Sequence, residues 1–533
     1  MNNLFKNKKF RYGSLGAGIT VAVIALIVIV NIIFSALANS FRWYFDMTAE
    51  RYYDLSDRTL ECLDGIDPSQ NDVTIYFFAP ADLLTQAATS QSSAQSGSLW
   101  GMKYIYEMAL KLAERYQFIK VDHIDLTTEP DRIAEITGDD QNSITFARYY
   151  VLIDNRTVER DADGKVILDD KGEAIPRHNY RVYSRNAFFT FEYTSGKYYA
   201  TGFKGDFRLC SALMAVCAEI TPTMYLITGH GEPVGAYTAG TQNTEYDEAL
   251  VLCQIFNDSG YAIKKIDLQH EDFGDEKNAV AVIFAPKTDY SGNTEVENHN
   301  ELGKIKSFIE KDDHSLMVIF GYGNGRLPGL ERFVESECGV TVLPNNLKDN
   351  GENAIDVNML RIVGEANTDV SSSGGKAAAR IAGAGINNKV IFPNACPLTV
   401  TDSSKASAMY YIPSSSYLDT AEGRKNYSEK EGALASLTDL GHGSYVFCTG
   451  SSLTADVNYL DNPVYSNKDM YLSVIDGMTA GEIPFGIPYK VITSEGLDIT
   501  KRESTVWMVV LCAAVPLAVL AAGTAVYIRR RHS

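Results

Sequence analysis

Two uncharged apolar runs, one near each end, constrain this chain more than any other feature. Leu15 to Ala38 reads LGAGITVAVIALIVIVNIIFSALA, and Val506 to Ile528 reads VWMVVLCAAVPLAVLAAGTAVYI. At 1.5 Å per helical residue each is roughly 35 Å long, enough to cross a hydrocarbon layer of ~30 Å. Trp507 and Tyr527 stand near the two ends of the second run, where interfacial aromatics belong. Pro516 inside it is tolerable in a membrane helix. The expectation is therefore transmembrane helices over 15–38 and 506–528. Lys6, Lys8, Lys9 and Arg11 precede the first, and Arg529, Arg530 and Arg531 follow the second. Basic flanks stay on the cytoplasmic side. The tails 1–14 and 529–533 are thus expected to be cytoplasmic, with the bulk of the chain outside a cell membrane of lipid bilayer. Ala36-Leu37-Ala38 has the form of a signal-peptidase site, but the apolar run exceeds the 7–15 residues usual for a cleaved leader. An uncleaved anchor is the expectation.

The 533 residues carry a formal net charge of −19. The tails hold seven basic and no acidic residues, which leaves −26 on the rest (−19 less 7). A surface so acidic does not suit a nucleic-acid partner, which needs a basic face. With 45% hydrophobic and 22% charged residues, the middle of the chain can build ordinary packed cores. Of the eight cysteines, Cys512 falls in the second run. The other seven (Cys62, Cys210, Cys217, Cys253, Cys338, Cys396 and Cys448) show no CxxC or metal-ligand spacing. Buried thiols are the expectation, with one or two disulfides left open.

Between the runs, strand-like and helix-like stretches alternate. Ser56 can cap a helix carrying Leu60, Leu63 and Ile66 on one face. Val73–Phe78 has the composition of a buried strand, Met102–Tyr116 is an amphipathic helix, and Ile119–Leu126 returns as a strand. This β-α-β order implies parallel pairing. Residues 144–203 read as hairpins around Asp-Gly and Lys-Gly turns. The string DADGKVILDDKG there lacks the glutamate that an EF-hand needs at its twelfth position, so no calcium loop is expected. Helices are expected over 208–218, 244–257 and 297–310, and strands over 224–227, 262–268, 279–284, 315–320 and 444–448. Continuous apolar strands alternating with helices predict an α/β fold with a doubly wound, mainly parallel sheet. The expected division is a first outer α/β domain with a hairpin insertion (39–203), a second outer α/β domain (204–495) and a juxtamembrane linker (496–505). Ser371–Gly375 reads as a flexible loop, and the Asn/Ser/Gly-rich stretch 345–443 shows no order of elements.

Strand 224–227 runs into Thr228-Gly229-His230-Gly231-Glu232-Pro233. Gly229, His230, Gly231 and Glu232 are the candidate ligand- or partner-binding residues, because loops at the carboxyl ends of parallel strands face one crevice. Two other readings stand beside this one. In the first, the glycines supply a tight turn and His230 only hydrogen-bonds the backbone. In the second, His230 and Glu232 act as acid and base. Gly321–Gly325 is glycine-rich but has no Walker lysine and does not meet GxGxxG. There is no GxSxG elbow, no HExxH, and no recognisable nucleophile with its base.

Several strings, taken in order between the two terminal runs, resemble the GldG-like, gliding-motility-type auxiliary components of ABC transporters. They are YYDLSDRTLECLDGIDPSQNDVTIYFF, MYLITGHGEP, AVAVIFAPKTDYS, ELGKIKSFIEKDDHSLMVIF and SYVFCTGSSLTADVNYLDNPVYSNKDMYLSVIDGMT. The glycine pair that usually precedes the fourth strand of that pattern is replaced here by KDDHSLMVIF. The resemblance implies a non-ATPase membrane subunit with no cofactor, standing beside an ABC permease and a separate cytoplasmic ATPase. It further implies an amidotransferase-like or flavodoxin-like outer core. Gly229, His230, Gly231 and Glu232 match a signature of that family, with no reaction attached. The competing expectation is an anchored extracytoplasmic hydrolase working through the His230/Glu232 loop.

Overall fold

The computed structural model describes residues 51–492, except 88–98, 138–146, 159–164, 170, 195–196, 234–247, 293–299, 322–324, 344, 352, 356–358, 384–388, 461, 463, 480–482 and 488. Outside that range it describes 25, 26, 28–30, 32, 33 and 523. Both tails, the juxtamembrane linker and nearly all of the two expected membrane spans lie outside the described residues. Among the described residues no helix is long and apolar enough to cross a membrane. The seven described residues of the first run are helical and exposed.

The first part of the chain is a four-stranded mixed sheet. Helix α1 (Asp57–Asp64) starts where Ser56 Oγ accepts the Thr59 N–H at 3.2 Å, with Asp57 in its first turn facing the positive end of the helix dipole. Strand β1 (Val73–Phe77) is buried throughout. Helix α2 (Met102–Arg115) buries Ile105, Met108, Ala109 and Leu112, the face its spacing predicts. Strand β2 (Ile119–His123) then pairs parallel with β1, Val73 opposite Ile119. Strands β3 (Val151–Val158) and β4 (Pro176–Tyr183) add antiparallel, giving the order β2-β1-β3-β4. Between them Lys171-Gly172 forms the expected turn, with Gly172 at φ +81°. A second hairpin joins β5 (Phe189–Thr194) to β6 (Lys197–Phe203).

Helix α3 (Gly205–Cys217) follows and is buried along most of its length. Asn155 of β3 and Asn179 of β4 donate to the Val216 carbonyl at 3.0 and 2.9 Å, so α3 is fastened to the first sheet. On its other side Arg208 forms a buried ion pair with Asp258. One apolar core is therefore continuous from Val73 and Ile105 through Leu209 and Leu213 to Leu226 and Met317.

The larger sheet begins with β7 (Thr223–Thr228), α4 (Glu248–Asp258), β8 (Ala262–Asp267), β9 (Ala279–Phe284), α5 (Glu301–Ile309), β10 (His314–Ile319) and α6 (Pro328–Cys338). Next come β11 (Val340–Val342), β12 (Leu347–Asp349), β13 (Arg361–Val363), β14 (Glu365–Ala366) and α7 (Ser373–Gly383). After these are β15 (Ile391–Pro393), β16 (Leu398–Val400), β17 (Ala406–Tyr411), β18 (Ser416–Thr420) and β19 (Gly423–Asn426). Strands β20 (Ala433–Gly441) and β21 (Ser444–Thr449), helix α8 (Asn467–Met478) and β22 (Lys490–Val491) follow. Five strands run parallel in the spatial order β8-β7-β9-β10-β21. Tyr225 and Ile227 face Ile305 and Phe308 of α5, while Met224 and Leu226 face the core that holds Leu252 and Phe256 of α4. Both faces of these strands are thus covered, which is why they are apolar without alternation.

The sheet is less parallel than its strands suggest in isolation. Beyond β21 the pairing turns antiparallel through β20, β16 and β11, with β17 and β14 branching off. The cause is local: β20 and β21 are joined by Gly441-His442-Gly443, all at positive φ, and so short a link can only make a hairpin. These strands also give an order to residues 345–443, where sequence showed none. Ser371–Gly375 is not a flexible loop: its last three residues open α7, and the Ser372 hydroxyl accepts the Gly375 N–H at 3.1 Å. The seven described cysteines carry thiols, and all but Cys217 are buried.

Candidate functional site

Strand order decides where a site can form. Numbered along the chain, the five parallel strands lie 2-1-3-4-5, so the winding reverses between β7 and β9. Loops that leave the carboxyl ends of strands on either side of such a reversal diverge, and a crevice opens between them. Here those loops are Gly229–Pro233 after β7 and Ala285–Gly292 after β9.

The first loop turns tightly because Gly229 and Gly231 adopt φ +112° and +74°. A Cβ on Gly229 would lie 3.1 Å from Asp267 Oδ1, at the end of β8. The turn drives the His230 ring inward, where it is 2% exposed. The second loop wraps over it: the Lys287 and Thr288 N–H groups donate to the His230 carbonyl at 2.8 and 3.0 Å. Tyr290 stacks on the imidazole, with ring centroids 3.9 Å apart and planes 20° apart. From the start of α5, Glu301 brings Oε2 to 3.2 Å from His230 Nε2, and the same oxygen accepts the Ser291 N–H at 2.9 Å. Glu232 folds back on its own loop. Its Oε2 accepts the His230 N–H and its Oε1 the Tyr290 hydroxyl, both at 2.8 Å. Glu232 Oε1 also lies 3.8 Å from His230 Nδ1. His230 Nδ1 and Glu301 Oε1 find no hydrogen-bond partner among the described residues.

Burial alone would favour neutral imidazole, but the Glu301 hydrogen bond, with the charges of Glu301, Glu232 and Asp267, holds His230 above its usual pKa. For Glu301, burial pushes upward, yet His230 and the Ser291 N–H bring it below the usual carboxylate range. Burial and the neighbouring Glu232 push Tyr290 well up, so its hydroxyl stays a donor. The neighbouring charges thus favour protonation of a ring held between Glu301 and Glu232 under Tyr290. This arrangement can hold a proton and pin two loops together. To reach an external substrate, the loops would have to separate.

The four sequence candidates therefore come together, with different parts to play. Gly229 and Gly231 shape the turn, His230 is its buried centre, and Glu232 closes it. Sequence reading missed Tyr290, Glu301 and Asp267. The string APKTDYS carries Tyr290 directly after a strand, but nothing local ties it to His230. Asp289, beside it, caps α6 by accepting the Gly329 and Leu330 N–H groups at 2.6 and 3.0 Å. Among the described residues no group of three or more His, Cys, Asp or Glu side chains is arranged to hold a metal ion.

No family model matches this chain, and no curated protein matches it. Among solved structures, similarity is found to the "mmIFT52 N-terminal domain" (15% identity, TM-score 0.34, over 49% of this chain and 99% of that one). A second is "Cytoplasmic Protein STM3548 from Salmonella typhimurium" (14% identity, TM-score 0.28, over 48% of this chain and 98% of that one). At these scores neither likeness carries an argument about fold or activity.

Proposed function

We propose that the protein is a membrane-anchored, non-ATPase accessory subunit of an ABC transport system, of the GldG-like type. Its outer body would be held by two helices and work by contact with a partner or substrate. The observation that carries this reading is where the two ends of the body meet. Tyr52 OH donates to the Val491 carbonyl at 2.8 Å, and Lys490 Nζ donates to the Arg51 carbonyl at 2.8 Å and to that of Asp54. Arg58 Nε donates to the Phe485 carbonyl at 2.9 Å, and β22 pairs with β6. Residues 51 and 491 thus leave the body side by side. The apolar runs that flank them in sequence can then enter one bilayer together, both tails on the same basic, cytoplasmic side. Leu26 and Ile32 in the first run are 60% and 62% exposed, which suits lipid rather than water.

The order 2-1-3-4-5 is that of flavodoxin-like sheets, so we read the larger sheet as a doubly wound core of that kind. Its crevice is filled by the chain's own Tyr290 and Glu301. That favours a contact module over the anchored hydrolase, which would need His230 open to substrate. The partners proposed are an ABC permease and a separate cytoplasmic ATPase.

The test is a mild-detergent affinity purification of the tagged full chain from its native membrane. Permease and ATPase recovered in stoichiometric amounts are the expected result. A chain that purifies alone sinks the accessory reading.

A further inference from the structure

Two pairs of cysteines face each other inside the protein, each joining segments far apart in sequence. Thr59 Oγ1 of α1 donates to Asp206 Oδ1 of α3 at 2.6 Å, and the Ser56 N–H donates to Oδ2 at 2.8 Å. Cys62 is three residues beyond Thr59, and Cys210 four beyond Asp206. Those spacings stay on one helix face, so the two thiols meet one turn further along the same contact. There the two thiols lie against each other in one apolar core. The second pair joins helix to sheet. Cys338 ends α6, and its carbonyl accepts the Thr438 hydroxyl of β20 at 2.9 Å. Thr438 stands opposite Val446 of β21, and Cys448, two residues on, shares the face of Val446. The Cys338 and Cys448 thiols likewise lie against each other in one core. All four side chains lie in the two main cores.

We propose that Cys62–Cys210 and Cys338–Cys448 are disulfide sites, closed while the chain folds in the presence of a disulfide oxidant. In each, the two S–H bonds break and one Sγ–Sγ bond forms. Two electrons and two protons pass to the oxidant's disulfide, which is cleaved to two thiols. The bonds form during folding because the finished cores shut the thiols away. Burial and the contact with Cys62 push the Cys210 thiol up, and the contact with Cys338 and burial do the same to Cys448. A thiol that cannot ionise does not attack a disulfide. The inference does not rest on the transporter reading.

The test uses the full chain, synthesised cell-free into lipid nanodiscs with reduced and oxidised glutathione. Remaining thiols are alkylated under denaturing conditions, and unreduced peptides are mapped by mass spectrometry. The expected result is linked peptides joining Cys62 to Cys210 and Cys338 to Cys448, with thermal unfolding at a higher temperature than for chain made under reduction. Recovery of these four residues as alkylated thiols, or linked to other cysteines, overturns the proposal. In a Cys62→Ser variant, Cys210 is expected as an alkylated thiol with Cys338–Cys448 intact. Cys210 linked elsewhere in that variant would count against the pairing.

Discussion

Replacing His230 by alanine removes the centre of the clamp between the β7 and β9 loops. The cost has two parts. The charge-assisted hydrogen bond to Glu301 contributes about 1.5–3 kcal/mol. The stack on Tyr290, at 3.9 Å, contributes about 0.5–1.5 kcal/mol beyond its buried area. Together the loss is about 2–4.5 kcal/mol, and Glu301, itself 1% exposed, is left without its counter-charge. The loss falls on local opening of the two loops, so the Lys287 and Thr288 amides report it directly through their bonds to the His230 carbonyl. At tenfold per 1.4 kcal/mol, hydrogen exchange at these amides should accelerate roughly 30- to 1,600-fold in His230→Ala. The assay is exchange mass spectrometry of the full chain in detergent near pH 6. His230→Gln, which retains a side-chain N–H donor, is expected to show a smaller acceleration. Unchanged exchange in His230→Ala would refute the clamp and leave His230 available for chemistry.

The same pair sets a pH window. His230 is raised in the folded protein, so its contribution is fully present below the ordinary imidazole pKa of about 6.5 and is lost as pH rises through the raised value. Glu301 is lowered, so its contribution is present above the ordinary value of about 4.3 and is lost as pH falls through the lowered one. Protection of the Lys287 and Thr288 amides, corrected for intrinsic rates, should therefore be highest between those limits, and a flat profile counts against the pairing. Arg208→Ala strands Asp258, 2% exposed, with Gln254 Nε2 at 2.7 Å as its remaining side-chain donor among the described residues. The expected loss is about 3–5 kcal/mol in denaturant unfolding, largely recovered in Arg208→Met/Asp258→Leu. Gly229→Ala forces a side chain into φ +112° against Asp267, at a cost of about 1–3 kcal/mol, read as a lower unfolding midpoint.

Most single elements were legible in the sequence because their causes are local. The helical face of α2, the Ser56 cap and the continuous apolar strands β9 and β10 follow from side-chain periodicity and from which groups can satisfy a helix end. Edges moved by a few residues, as for α3, where Gly205 and Asp206 join a helix read from Arg208. In 345–443, short strands with small polar residues carry little periodicity, so neither β17 nor α7 was visible before its partners were known.

Which groups meet is a different matter. Sequence by itself determined that a glycine-bounded histidine and a glutamate follow an apolar strand, that the chain is acidic between two uncharged runs, and that no familiar nucleophile motif is present. Only the tertiary structure decided that the histidine turns inward. Its partners Tyr290 and Glu301 follow another strand, Glu301 being 71 positions away from His230. They arrive through the parallel register of β7 with β9 and the reversal of winding between them. Contacts across such a crossover depend on how whole strands stack, because the burial that selects the stacking is shared over a sheet and is not encoded in any one loop.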